Sequence, residues 1–444
     1  MCPVKMDTAF YHNLLADRFR PLLIIAQIFG FLPYPFTLQQ EIGQQQQHFC
    51  KNILQFLNKA LGMLMFGTAF ICCIALYIYF PEIMYEEDVP PVLNIAYHLE
   101  NVLKVLIVLV TLLWPLTSES FYREIYNGLV QILVLYSAAK RIDSVMVSVT
   151  AITKRLLFLY CFDAVVNTIS LGFVLGHPVS TLLSMSYIFP FIAIMINVLE
   201  YNALFSLIGG IASGLNDSLC NIALADASRQ RSYEKHKKKY CFNGDAMRLA
   251  KLRSQINLAT IEKLSTLHVA LMSLTAKTNA HCGPVLLIIM LCSFVQTNVA
   301  LVELYLNSDP MNKDPELSDF IIWILFLHTA TNFSYFVIIA RANHTIQKEN
   351  ERTILILHDF NCVWKSEQNV MIEYYINQIS NLPDTHNACG MINLDMKLVP
   401  NVVAGIASIL FILMQFSDSR LQDLLQPYTE QYPTGNSSTT NNTF

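Results

Sequence analysis

The sequence predicts an all-α polytopic membrane protein with seven transmembrane helices, and three observations predict it. The 444 residues are 54% hydrophobic and only 14% charged, where soluble domains carry about 25% charged residues. The apolar residues gather in seven runs long enough to cross a hydrocarbon core of roughly 30 Å. Lys and Arg are divided unequally between the connections.

The seven segments fall near residues 60–80, 92–116, 156–176, 180–208, 284–306, 319–340 and 398–416. An eighth run, Pro21 to Phe36, is broken by Gln27, Gly30, Pro33 and Pro35 and reads as an interfacial segment. With the N-terminus in the cytosol, the outer parts are 81–91, 177–179, 307–318 and the tail after 416, which hold Lys313 and Arg420 alone. The short inner parts hold fifteen basic residues against those two, with loop 209–283 left out of the count. The charge distribution therefore places the N-terminus inside and the C-terminus outside. No secretory signal opens the chain, because Lys5, Asp7, Asp17 and Arg18 interrupt its first residues.

The inner connections read as helical. Ile256, Leu264, Leu267, Leu271 and Leu274 recur near helical period through Lys251–Lys277, and Thr353–Ile379 has a similar pattern. Together they are expected to pack a cytosolic helical bundle. The basic run Arg229–Lys239 reads as a solvated loop drawn to anionic lipid. The tail carries sequons at Asn436 and Asn441, and others stand at Asn216, Asn332 and Asn343.

This organisation divides the chain into an N-terminal cytosolic segment 1–59, a six-helix region 60–340, cytosolic helices 341–397, a last span 398–416 and an extracellular tail 417–444. The eleven cysteines lie within or inside the spans rather than in outer loops, so no structural disulfide is expected. No zinc spacing and no cofactor motif is present, and catalytic motifs such as GxSxG, HExxH and the P-loop are absent. A net charge of −4 argues against nucleic acid as a partner.

Ionisable residues inside spans carry the functional expectation, since each is costly unless paired or hydrated. Glu100 and Lys104 are spaced i, i+4 on the face that also carries Tyr97. That face serves either as a self-neutralising pair between helices or as the polar wall of a water-accessible cavity. Asp163, Glu200, Glu303 and His328 are candidates to join the cavity, with Tyr187, Phe189 and Trp323 as aromatic walls. The bland alternative for each is core packing. A seven-span count invites comparison with G-protein-coupled receptors, but the inside N-terminus and missing NPxxY motif oppose it. A solute carrier is disfavoured by the lack of an internal repeat.

The last span ends Gln415-Phe416 after a run of apolar residues, and Gly390-Met391 precede it, followed by Asp395. With Phe19–Phe36, and with Leu252-Arg253, Asn279, Gly283, Leu286 and Leu304-Tyr305, this pattern resembles the insect gustatory receptor family. Ser408 and Ile409 stand where that family has Thr-Tyr. The family's acidic residue after that tyrosine is also missing, which weighs against a sugar ligand. The resemblance implies a homotetrameric, ligand-gated, non-selective cation channel at the plasma membrane of sensory neurons. It implies a small-molecule tastant, partners that are further copies or related receptors, contact with membrane lipid, and a pore lined by the last span. On that implication Ser408, Ile412 and Gln415 share the pore face with Phe416 beside it. Ile412 and Phe416 would close the pore by dewetting, and Gln415 would wet it when open. A non-conducting accessory subunit of the same superfamily is the alternative.

Overall fold

The computed structural model describes residues 8–28, 56–57, 60–64, 67–68, 70–72, 74, 91–117, 119–136, 139–174, 179–237, 244–307, 315–361, 366–381 and 387–417. Among them are nine long helices and one small hairpin: α1 Thr8–Ile28, α2 Pro91–Thr117, α3 Glu119–Tyr136, α4 Ala139–Val174, α5 Val179–Lys237, α6 Gly244–Asn307, α7 Pro315–Asn361, α8 Ser366–Ser380, β1 Asn387–Ala388, β2 Ile392–Asn393 and α9 Leu398–Ser417. Among the described residues, six stretches are long and apolar enough to cross a membrane: Asn94–Thr111, Asp143–Ile169, Ile188–Ile222, Ala259–Tyr305, Phe320–Asp359 and Leu398–Gln415. Most of the expected first span at 60–80, the residues after Ile28 of the eighth run, and the tail with its two sequons lie outside the described residues.

Several sequence expectations change in detail. Arg229–Lys237, read as a loop, continues α5 as helix; Arg, Lys, Gln and Glu are all good helix formers, and charge alone does not end a helix. Thr353–Ile379, read as one helix, is divided between the end of α7 and α8. Helix α3 had no counterpart in the reading, because Glu119, Arg123 and Glu124 break its hydropathy. It buries Ile125, Leu129, Ile132 and Leu133 instead, an amphipathic stripe rather than a span. Its Glu124 pairs with Lys277 of α6. Its Tyr126 hydroxyl donates to the His12 carbonyl at 2.9 Å, and burial pushes that phenol up to about 12.

Helix directions can be read from the side-chain rungs. Helix α2 is antiparallel to α6, since Tyr97 meets Glu303 and Trp114 meets His281. Helices α5 and α7 run parallel, joined by Tyr201 and Asn343 and, further on, by Asn216 and Thr353. The first of these rungs is a closed ring. The Tyr201 hydroxyl donates to Asn279 Oδ1 at 2.6 Å, Asn343 Nδ2 donates to the Tyr201 oxygen at 2.7 Å, and Asn279 Nδ2 donates to Asn343 Oδ1 at 3.2 Å. It ties α5, α6 and α7 together in the buried core. Tyr201→Phe is expected to cost about 1–3 kcal/mol, because two buried amides each lose a partner while no volume is gained. Thermal unfolding of the purified variant measures it. The same burial explains why the Asn343 and Asn216 sequons, both bonded inside the bundle, offer no glycan site in the folded chain.

Gly210 sets the approach of α5 to α4. A Cβ there would lie 2.3 Å from Val145 Cγ1 and 3.3 Å from its Cβ and Cγ2. Valine is stiff at χ1 in a helix, so rotation does not relieve the clash. Gly210→Ala is expected to destabilise by about 1–3 kcal/mol despite its better helix propensity. Gly209→Ala, which meets the Cγ2 methyl of Thr345 at 3.0 Å on one side only, is expected to be much closer to neutral in the same melting experiment.

A polar cluster beside the last helix

The final helix is positioned by a turn that only a small residue on α6 admits. Cys389 and Gly390 occupy the two central positions of the β1–β2 turn with φ of 54° and 71°, and Met391 N–H closes the turn on the Ala388 carbonyl at 2.9 Å. Both central residues at positive φ make this a tight turn of the I′ kind, in which glycine is at ease and cysteine is unusual. The turn rests on Gly283. A Cβ at Gly283 would come within 3.2 Å of the Cys389 nitrogen, backbone that cannot step aside. Asp395 then caps α9, its Oδ1 accepting from Lys397 N–H at 3.0 Å and its carbonyl from Leu398 N–H at 3.0 Å. Pro400 sits in the first turn, where its missing N–H has no intrahelical acceptor to lose.

From this base α9 runs parallel to α6. Gly405 lies against Phe294, and Leu413 packs on Val302. Its buried stripe is Leu398, Ile406 and Leu413. Ser408, Ile409, Phe411, Ile412 and Gln415 face away from the protomer and are exposed. Ser408 Oγ donates back to the Ala404 carbonyl at 2.8 Å. Three of the expected pore residues, Ser408, Ile412 and Gln415, thus share the uncovered face; the Phe416 side chain is outside the described residues.

On the covered side, Ala96 and Tyr97 of α2 and Leu410 of α9 pack around the contact of Val302 with Leu413. The Tyr97 hydroxyl donates to Glu303 Oε1 at 2.9 Å. One turn along α2, Glu100 Oε1 and Lys104 Nζ are 2.6 Å apart, both side chains deeply buried. Glu303 and His328 lie within electrostatic reach of Lys104. The His328 ring is tilted against Phe191, centroids 6.4 Å apart. Tyr97, Glu100, Lys104 and His328 therefore belong to one buried cluster that Glu303 completes. Trp323 is not part of it; it is 71% exposed, edge-on to Phe326. Phe189 is buried in the core, and Tyr187 lies outside the residues with described side chains.

A second polar seam joins α4 to α7, which run antiparallel along it. Tyr160 Oη and Ser334 Oγ are 2.7 Å apart. Three residues further along α4 and three back along α7, the Asp163 carboxyl lies beside Thr331. Asn167 Nδ2 donates to Asp163 Oδ1 at 3.0 Å. Sequence reading placed Asp163 among the span carboxyls but missed its neighbours; Tyr160, Asn167 and Ser334 recur three or four residues from the span carboxyl or its facing threonine, which was the available signal.

The family model described as "7tm Chemosensory receptor" matches residues 19–420 of this chain. The chain belongs to the 7tm chemosensory receptor family. Among curated proteins it is similar to putative gustatory receptor 59f of Drosophila melanogaster, 23% identical over 160 residues. That match covers 36% of this chain and 38% of the relative's length. Among solved structures it is similar to the insect olfactory receptor OR5 of Machilis hrabei, alone and in complex with eugenol. The TM-score is 0.61 in both comparisons, with identities of 12% and 10%, covering 91% of this chain and 99% of the other. The fold of this chemosensory receptor is therefore that of an insect olfactory receptor, and the resemblance read from its last thirty residues holds at the level of the family.

Proposed function

We propose that this receptor is a ligand-gated, non-selective cation channel that assembles as a homotetramer at the plasma membrane of sensory neurons and responds to a non-sugar tastant. The observation that carries the reading is the double engagement of Tyr97. Its side chain packs on the Val302–Leu413 pair, which joins α6 to α9, and its hydroxyl hydrogen-bonds Glu303 beside Glu100, Lys104 and His328. A small molecule that alters this cluster alters the packing of α9, and a ligand shifts the pore only through such differential contact. The uncovered Ser408, Ile412 and Gln415 face is where four copies of α9 would surround a common axis, with Phe416 beside it. The eugenol complex of the olfactory receptor with this fold supports a small-molecule ligand.

In this reading seven spans place the N-terminus in the cytosol and the C-terminus outside. Residues 60–340 sense, 341–397 anchor the tetramer in the cytosol, 398–416 line the pore and 417–444 form an outer tail. The anchor role draws support from a contact of α6, α7 and α8 outside the spans 284–306 and 319–340 read from the sequence. There Ser265 bonds Gln378 at 3.3 Å, and the His268 ring meets Asn350 and the edge of Tyr375. The alternative is an accessory subunit that conducts only with a related receptor.

Calcium imaging of cells expressing this chain alone, against a broad tastant panel, tests the proposal. A response that changes with Gln415→Ala is expected. Silence with surface expression established would favour the accessory subunit.

A further inference from the structure

A small crevice, open on one side, lies between α1 and α4. It is lined by the cations Arg18 and Lys154, the hydroxyls Thr150 and Thr153, and the apolar Pro21, Leu22 and Leu157. Thr153 Oγ1 donates to the Val149 carbonyl at 2.9 Å. The Thr150 hydroxyl is buried, lines the crevice and has no hydrogen-bond partner among the described residues. A buried hydroxyl without a partner is costly, and a bound acceptor would remove that cost. Arg18 Nη2 donates to Asp143 Oδ1 at 2.9 Å, which holds the side chain at the crevice that it lines.

The surroundings are basic. Residues 17–22 and 143–157 hold Arg18, Arg20, Lys154 and Arg155 against Asp17 and Asp143. Charge and apolarity meet in the lining, Arg18 one turn from Pro21-Leu22 and Lys154 one turn from Leu157. Long cations beside apolar side chains suit the region where headgroups meet acyl chains. Basic pockets between spans at this depth suit phosphate-bearing headgroups, which accept from guanidinium, ammonium and hydroxyl together.

We propose that this crevice binds the phosphorylated headgroup of an anionic phospholipid of the inner leaflet. The phosphate sits between Arg18 and Lys154 and accepts from Thr150, while an acyl chain runs along Pro21, Leu22 and Leu157. This goes beyond the general attraction of the Arg229–Lys237 run for anionic lipid, because the crevice combines charge, a hydroxyl donor and an apolar wall. It rests on the reading of the apolar helices as membrane spans and is independent of channel activity.

The test uses the full-length receptor in phosphatidylcholine nanodiscs, titrated with a fluorescent phosphatidylinositol 4,5-bisphosphate. Inositol 1,4,5-trisphosphate serves as the soluble competitor. Saturable binding of the lipid is expected, weakened about 30-fold by Arg18→Gln with Lys154→Gln. Thr150→Val, nearly the same shape, is expected to weaken it about fivefold through one lost hydrogen bond. Neutralising Arg229, Arg231 and Lys237 is expected to leave the saturable component in place. Equal affinity of wild type and Thr150→Val would overturn the site, even if the double variant failed to fold. Displacement by the trisphosphate at concentrations equal to the lipid would identify a free phosphate ligand and overturn the lipid. Channel recordings do not enter either result, so a failure here is separable from a failure of the channel reading.

Discussion

Lys104→Met is expected to destabilise the receptor by about 3–5 kcal/mol, the largest effect of any single substitution proposed for the bundle. The ammonium is 2% exposed and lies 2.6 Å from Glu100 Oε1, with Glu303 and His328 also in reach. Removing it leaves a buried carboxylate facing a second one with no cation between them, so one of the two must take up a proton or draw water into the bundle. The double variant Lys104→Met with Glu100→Leu replaces the pair by apolar side chains of similar length, and most of the lost stability is expected to return. Function is not expected to return with it, because the cluster has lost the polar groups that the proposed ligand site would offer. Melting of the detergent-purified proteins measures the first part, and tastant-evoked calcium entry the second. A double variant that both folded and responded like wild type would reduce the pair to packing.

Ile412→Asn is expected to raise basal conductance by at least about tenfold, equivalent to moving the closed–open balance by about 1.4 kcal/mol. Four isoleucines around an axis exclude water, whereas four amides hold it and let ions through without an agonist. The neighbouring Leu413 provides the contrast. It is 8% exposed and packs on Val302 beside Tyr97. Leu413→Asn is therefore expected to lower expression and stability without opening the pore. Whole-cell current at rest, normalised to surface protein, separates the two results. Similar resting currents in both variants would remove Ile412 from the gate.

The sequence made the spans and the last-helix motif legible for physical reasons that the structure makes plain. Gly390 marks a turn with positive φ, Asp395 caps the helix that follows, and Gly283 gives the turn a place to rest. Each is a residue type with one mechanical use, so a short motif carries much information. The Glu100–Lys104 pairing was equally legible, because i, i+4 spacing fixes which side chains meet on one helix.

Contacts between helices were not. Nothing in the spacing of Tyr97 within α2 says that it faces Glu303, 206 residues away, and the Tyr201–Asn279–Asn343 ring draws on three helices at once. Trp323 shows the reverse error, since an aromatic in an apolar span reads alike whether it faces the core or, as here, outward. Helix α3 was hidden because an amphipathic helix broken by charge falls below any span criterion. The basic end of α5 was misread because hydropathy reports burial and not backbone conformation.

The central claim is that the uncovered face of α9 lines the ion path. It is tested most directly by thiol modification during evoked current in cells expressing this chain alone. Ile412→Cys and Leu413→Cys are compared with wild type, using a membrane-impermeant, positively charged methanethiosulfonate applied with the activating tastant. The account predicts block of the current in Ile412→Cys and no change in Leu413→Cys or in wild type, whose exposed cysteines among the described residues, Cys161 and Cys389, lie on α4 and on the turn before α9. Undiminished current in an Ile412→Cys receptor shown to be labelled would contradict it and move the pore away from α9.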